Sequence, residues 1–128
     1  MALFSKKKMS NELVKYFTNN KISYEIGEDT SISFMISFDS FSIFPYIFLN
    51  EDNNSINIIV NIKKIGNKEI GDALVRINDF NINSTYFQAK IKDNVILLEY
   101  SFISKDLDDV FDSLIDSLIS QKEEILKL

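Results

Sequence analysis

The sequence contains no cysteine, histidine or tryptophan, and it has only three glycines and one proline. Without cysteine there are no disulfides, thiolate nucleophiles or cysteine-rich zinc sites. Without histidine there are no Ser-His-Asp or Cys-His catalytic groups, two-histidine metal triads or histidine pH switches. The remaining acid–base groups are carboxylates, lysines, tyrosines and Arg76. We therefore expect a protein that is not an enzyme and that holds no metal or other cofactor.

Glycine and arginine are too sparse for the usual modes of phosphate recognition. Gly27, Gly66 and Gly71 form neither a GxGxxG nor a GxxxxGK[ST] motif, so no loop that cradles nucleotide phosphates is predicted. The formal net charge is −5, and Arg76 is the single arginine. Since nucleic-acid affinity depends on the neutralisation of phosphates by basic side chains, we expect no nucleic-acid partner.

Apolar runs in the sequence are short. None reaches the roughly 20 residues that a membrane-spanning helix needs. Lys6, Lys7 and Lys8 follow a short apolar stub, which is the reverse of the order in a signal peptide. Three lysines without a lipid anchor bind membranes weakly. We expect a cytoplasmic protein that has no membrane partner.

Length and composition indicate one domain. The chain has 128 residues, 45% of them hydrophobic, which is enough to bury about two-thirds of the surface that the unfolded chain exposes. No internal repeat or low-complexity linker divides it. We expect residues 1–9 to form a flexible tail and residues 10–128 to form a single domain, with Ser10 as the N-cap of a first helix over residues 11–20.

Hydrophobic periodicity predicts an α+β fold. Stripes at helical spacing predict a first helix, a second helix that ends near Asn78 and Asn81, and a third helix with a seam from Leu107 to Ile119. Alternating apolar and polar residues predict four strands before the second helix and two after it, the last two joined at Lys92–Asn94. The order α-β-β-β-β-α-β-β-α, with short connections, indicates helices packed against an antiparallel meander.

The segment from Ala73 to Asn81 and the strand that follows it carry a family resemblance. An apolar-Asn-x-x-Asn pattern ends the second helix as Ile77, Asn78 and Asn81, and an aromatic strand, a tight turn, an apolar strand and an acidic helix follow. In these features the chain resembles the YbjN domain family, which has a type III secretion chaperone-like fold. The resemblance covers roughly half of the chain by residue pattern and nearly all of it by element order.

The resemblance implies protein binding without catalysis. The family is described as sensory-transduction regulators, and its fold relatives are chaperones that dimerise and bind extended segments of other proteins. A homodimer with a protein partner of unknown identity is therefore expected, with no catalytic residues. We interpret Asn78 and Asn81 as structural residues, since an asparagine at a helix C-terminus accepts left-handed geometry and can bond the last carbonyls.

The strand from Ile43 to Leu49 is apolar on both faces, and Pro45 suits an edge or a bulge. We expect its aromatic face, Phe44, Tyr46 and Phe48, to contact the helices. The other face would then form an outward partner or dimer interface with two residues of adjacent strands, a set comprising Met35, Ile43, Pro45, Ile47, Leu49 and Ile59. The alternative, left open by the sequence, is that a helix covers this face.

The last helix has an acidic face. Asp109, Asp112 and Asp116 are spaced i, i+3 and i+7 and therefore share one side. Such a face can bind a divalent cation or a basic partner, or it can be a solvated surface near the positive helix N-terminus. The leading hypothesis is a protein-binding module of the YbjN type that uses an apolar sheet face. The alternative is a small acidic immunity or inhibitor protein that binds a basic partner through this helix.

Overall fold

The computed structural model describes residues 2–50, 53, 55–103 and 107–128, of which residues 2–9 are described by their backbone. Its helices are α1 (Ala2–Asn19), α2 (Ile70–Asn83), α3 (Leu107–Ser120) and α4 (Lys122–Leu126), with a 3₁₀ turn at Asn67–Glu69. Its strands are β1 (Tyr24–Ile26), β2 (Ile32–Phe34), β3 (Ile36–Ser37), β4 (Ser42–Ile43), β5 (Pro45–Asn50), β6 (Ser55–Lys64), β7 (Gln88–Lys92) and β8 (Val95–Ile103).

Six of these strands form one sheet in the order β1-β2-β5-β6-β8-β7, and every pairing in it is antiparallel. The predicted α+β class and the meander of the first four strands are confirmed. Two of the predicted strands are interrupted, one at Met35 and one at Phe44, and the pieces β3 and β4 pair with each other in a separate small sheet. After α2 the chain returns to the far edge as β7, and β8 then pairs with β6.

The turn between β7 and β8 is the tight hairpin that the sequence predicts. Asp93 and Asn94 have φ angles of 52° and 62°, and Lys92 lies directly opposite Val95. Two consecutive left-handed residues match the right-handed twist of the flanking strands, and Asp and Asn adopt this geometry at low cost. This turn fixes the register of β7 against β8.

The main core lies on one face of the sheet. Its side chains come from the inward positions of the strands and from α1, α2, α3 and α4, and include Phe17, Ile32, Ile47, Ile58, Ala73, Leu98, Phe111, Leu118 and Ile125. The alternation of an antiparallel strand turns every second side chain to the other face. That second face, the open face, carries the partly exposed side chains described below.

The first helix begins earlier than predicted. It starts at Ala2, so Ser10 lies within α1 and does not cap it. Residues 2–9 consist mainly of Ala, Leu, Lys and Met, which are strong helix formers, and contain neither glycine nor proline. The division of the chain into a tail of residues 1–9 and a domain of residues 10–128 stays a prediction.

The predicted orientation of the segment from Ile43 to Leu49 is wrong. Ile43 and Ile47 are 4% and 0% exposed, whereas Phe44 and Phe48 are 50% and 37% exposed. The reason is the register, because Ile47 lies directly opposite Ile32 and Ile58, which both face the helices. Pro45 is also buried.

The position of Pro45 within the sheet also differs from the prediction. It is the first residue of β5, which lies inside the sheet between β2 and β6 and not at an edge. Proline has no backbone N–H to donate. Because the strand is interrupted at Phe44, Pro45 is the first residue of β5, a position where a sheet tolerates the lack of this donor.

Two neighbouring substitutions test this orientation. Replacement of the fully buried Ile47 by aspartate places an unpaired carboxylate in the core, and we expect it to lower the free energy of unfolding by more than about 4 kcal/mol. Phe48→Asp, on the open face, should cost less than about 2 kcal/mol. Urea unfolding followed by circular dichroism measures both, and equal losses would contradict the assigned faces.

Candidate functional site

The open face is organised by the strand register. Tyr46 of β5 lies opposite Ile59 of β6, and Asn61 of β6 lies opposite Leu97 of β8. Residues directly opposite each other in an antiparallel pair point to the same side of the sheet. Phe48 is two residues beyond Tyr46 and therefore points the same way. An apolar stripe thus crosses three adjacent strands.

This stripe is the floor of a groove of about 590 Å³, the open-face groove. Its apolar lining consists of Tyr46, Phe48, Ile59, Val95 and Leu97. The β1–β2 loop and the β7–β8 turn form its walls, with Gly27, Asp29, Ser31, Lys92 and Asp93, and Asn61 also lines it. Two aromatic side chains and three aliphatic ones therefore lie between polar walls, an arrangement suited to apolar groups that carry polar neighbours.

The loop wall is held by Asp29. Its Oδ1 accepts hydrogen bonds from the Ser31 backbone N–H at 3.0 Å and from the Ser31 hydroxyl at 2.7 Å. These bonds lower the pKa of Asp29 below its ordinary value, and the bond from the Ser31 hydroxyl contributes most. A Cβ at Gly27 would lie 2.9 Å from the same Oδ1, so a larger residue there would push the Asp29 carboxylate out of this position.

A polar cluster borders the groove on the β8 side. Lys90 forms a salt bridge with Glu99, whose other oxygen accepts a hydrogen bond from Asn57 Nδ2 at 3.4 Å, and Ser101 donates to Asn57 at 3.1 Å. The hydrogen bond from Lys90 is the main cause that lowers the pKa of Glu99, against the opposing effect of burial. This cluster fixes the side chains beside Ile59 and Leu97.

The structure places the predicted interface residues in several environments. Ile59 lines the groove, as the predicted outward patch requires. Leu49 is half-buried and packs against the main core. Met35 is 54% exposed between β2 and β3, outside the groove lining. The remaining three, which are Ile43, Pro45 and Ile47, are buried and offer no accessible surface.

The open face therefore does carry an apolar patch, but of the predicted set only Ile59 belongs to it. The prediction missed Tyr46 and Phe48, which it assigned to the core, and Val95 and Leu97 of β8. The tyrosine at position 46 could have indicated the exposed face, because a phenol prefers a position where its hydroxyl can reach water.

The acidic face of α3 is partly engaged within the molecule. The hydroxyl of Tyr16, a residue of α1 that is only 3% exposed, donates a hydrogen bond to Asp112 Oδ1 at 2.8 Å. Burial is the main cause that raises the pKa of Tyr16, and the bond to Asp112 and the charges of Asp108 and Asp116 raise it further. The aspartates that surround Tyr16 are thus spaced i, i+4 and i+8, and Asp109 of the predicted set is not among them.

Two further findings concern the described residues. No group of three or more acidic side chains among them is placed to hold a metal ion, so the cation interpretation of the acidic face has no support. Within the same residues, none of the helices is long and apolar enough to cross a membrane.

Asn81 has a structural role that differs from the predicted helix cap. It lies inside α2, and its side-chain amide makes two hydrogen bonds to the backbone of Ala89 in β7. Nδ2 donates to the Ala89 carbonyl oxygen at 3.1 Å, and Oδ1 accepts from the Ala89 N–H at 2.7 Å. The amide therefore occupies the position of a neighbouring strand at the edge of the sheet. Asn78, one turn earlier in α2, is exposed.

Solved structures with a similar fold include a chaperone-effector complex. The chain aligns with a chain of "Crystal Structure of the ExsC-ExsE Complex" at a TM-score of 0.58 and 11% identity, over 91% of this chain and 89% of that one. It aligns with a chain of the HopA1-SchA chaperone-effector complex at a TM-score of 0.58 and 9% identity, over 88% and 91% respectively. The fold is therefore secretion-chaperone-like. No protein-family model and no curated protein matches the sequence.

Substitution of two of the three asparagines of α2 separates the contact with β7 from the stability of the helix itself. Asn81→Ala removes both bonds to Ala89, and we expect it to lower the free energy of unfolding by about 2 kcal/mol. Asn78→Ala is the matched control and should change it by less than about 0.5 kcal/mol. Urea unfolding measures both values, and similar effects of the two substitutions would refute this role of Asn81.

Tyr16→Phe tests the contact between α1 and α3. The loss of the bond to Asp112 should cost about 1 kcal/mol at neutral pH. Below the ordinary tyrosine pKa of 10.0, Tyr16 is protonated in both the folded and the unfolded state. Above it, the unfolded phenol ionises first, so the free energy of unfolding should fall as the pH rises. Urea unfolding between neutral pH and about pH 11 should show a shallower fall in the variant, and identical slopes would contradict the assignment.

Proposed function

We propose that this protein is a non-enzymatic, chaperone-like regulatory module of the YbjN type that binds a protein partner in the open-face groove. The observation that carries the proposal is the exposure of two aromatic side chains, 39% for Tyr46 and 37% for Phe48, in a groove that also contains Ile59 and Leu97. Apolar surface bordered by polar groups is typical of sites that bind other proteins. The fold shared with chains of chaperone complexes supports the same proposal.

The proposal includes a homodimer that acts in the cytoplasm. Self-association is supported by the outer side of α2, where Leu74, Val75 and Ile82 are 53%, 63% and 72% exposed. A helix face with this much exposed apolar surface is a candidate contact between subunits. Size-exclusion chromatography with light scattering measures the mass of the particle directly.

The second candidate function is that of an acidic immunity or inhibitor protein that binds a basic partner through α3. The exposed carboxylates of Asp109 and Asp116 favour it. Asp112, however, already accepts a hydrogen bond from the hydroxyl of Tyr16 within the molecule. The two candidates differ in their response to salt, because screening weakens contacts between exposed charges far more than contacts between apolar groups.

The test is a comparison of two phenylalanines, Phe48 in the groove and Phe44 outside it. Immobilised wild-type protein, Phe48→Ser and Phe44→Ser are exposed to native lysate, and the bound proteins are identified by mass spectrometry. We expect a partner that the wild type and Phe44→Ser retain and that Phe48→Ser loses. With the purified partner, calorimetry should show at least about a tenfold weaker affinity for Phe48→Ser, as is common for a central aromatic contact.

Thermal unfolding of the three proteins is the control, because only variants that remain folded can be compared. A partner lost equally from both variants would refute the groove as its site. A partner that both variants retain, and that dissociates when salt is raised to about 0.5 M, would support the acidic face instead.

A further inference from the structure

One end of the open-face groove carries a pair of lysines. Val95 of β8 lies directly opposite Lys64 of β6 on one side and Lys92 of β7 on the other. The three residues form one row across the sheet and therefore share the open face. With strands spaced about 4.8 Å apart, the two lysine backbones are about 10 Å apart. Val95 and Lys92 both line the groove.

These two lysines are not neutralised by close ion pairs. Both are exposed, and among the described residues the only salt bridge joins Lys90 to Glu99. The charge of Lys92 also acts on Glu99, at longer range. Of the carboxylates that line the groove, Asp29 accepts two hydrogen bonds from Ser31 and Asp93 lies in the turn beside Lys92, and neither forms a salt bridge with Lys64 or Lys92. The ammonium groups of Lys64 and Lys92 are thus available to carboxylates from outside.

Both lysines lie where the sheet has an unpaired edge and also beside the groove. Lysines on an edge strand oppose unwanted pairing with other sheets, and Lys92 lies on the edge strand β7. Lys64 lies beyond Val60, the last residue of β6 that pairs with β5, so at Lys64 the strand pairs with β8 alone. Because the two lysines also lie in one row with Val95, which lines the groove, they can attract the carboxylates of a segment that lies there.

We infer that the groove takes a polypeptide segment in which apolar residues are followed by acidic ones. The apolar side chains lie on Tyr46, Phe48 and Ile59, and the carboxylates that follow them reach Lys64 and Lys92. The inference rests on the proposed function, because it names the chemistry of the partner that binds in the same groove. It also gives the segment one direction across the sheet, from Phe48 towards Val95.

Three fluorescein-labelled synthetic peptides test this inference. Each contains the same alternating leucines and serines, followed by a pair of glutamates, glutamines or lysines. Fluorescence anisotropy at low salt should show that the wild type binds the glutamate peptide about tenfold more tightly than the lysine peptide. In about 0.5 M salt the difference should largely disappear.

Charge-reversal variants locate the preference. Lys64→Glu/Lys92→Glu should bind the lysine peptide more tightly than the glutamate peptide. Lys15→Glu/Lys127→Glu changes the net charge by the same amount at exposed positions outside the groove lining and should behave as the wild type does. If the first variant keeps the preference for glutamate, or if the control also loses it, the inference is wrong.

The outcome also separates this inference from the proposed function. Equal affinity of the wild type for all three peptides, lost in Phe48→Ser, would overturn the acidic preference and leave the groove as the binding site. Affinity that Phe48→Ser does not change, or no binding of any peptide, would overturn both.

Discussion

The pairing of β6 with β8 is the constraint on which the rest of the structure depends. It joins Ser55–Lys64 to Val95–Ile103 and so connects strands on either side of α2 in the chain. Its register decides which side chains share a face, and it therefore sets the core and the open-face groove together. Ile58 and Tyr100 face the helices, while Asn61 and Leu97 lie on the open face. A slip of one residue would exchange the two sets.

Most elements of this fold could be predicted from local sequence, but the assignment of their faces could not. The alternation in β6, the stripe of α3 and the Asp93–Asn94 turn each carry their own signal, and the structure contains all three. In β5 both faces are apolar, so a period of two residues does not say which face is covered. That choice depends on Ile32 and Ile58 in neighbouring strands. The bonds of Asn81 to Ala89 are equally non-local, since they join a helix to a strand that follows it.

Charge is distributed unevenly between the two sides of the molecule. The aspartates of α3 lie beside α1, where Asp112 holds the hydroxyl of Tyr16. On the open face, Lys64, Lys90 and Lys92 lie together with the carboxylates of Asp29, Asp93 and Glu99. The acidic surplus of the whole chain therefore does not describe the surroundings of the groove. Net charge acts on solubility and on long-range encounter, whereas recognition depends on the charges close to the contact.

Two side chains bond backbone groups at the β7 edge of the sheet. These bonds limit how molecules of this fold can pair through their strands. The amide of Asn81 bonds both backbone groups of Ala89, and the hydroxyl of Ser84 donates to the carbonyl of Phe87. A strand arriving at this edge would have to displace both. Growth of a filament through strand pairing needs two free edges on every molecule, and in the six-stranded sheet the other edge is β1. Edge-to-edge contact through β1 alone ends at a closed pair, so the bonds of Asn81 and Ser84 at the other edge oppose open-ended polymerisation.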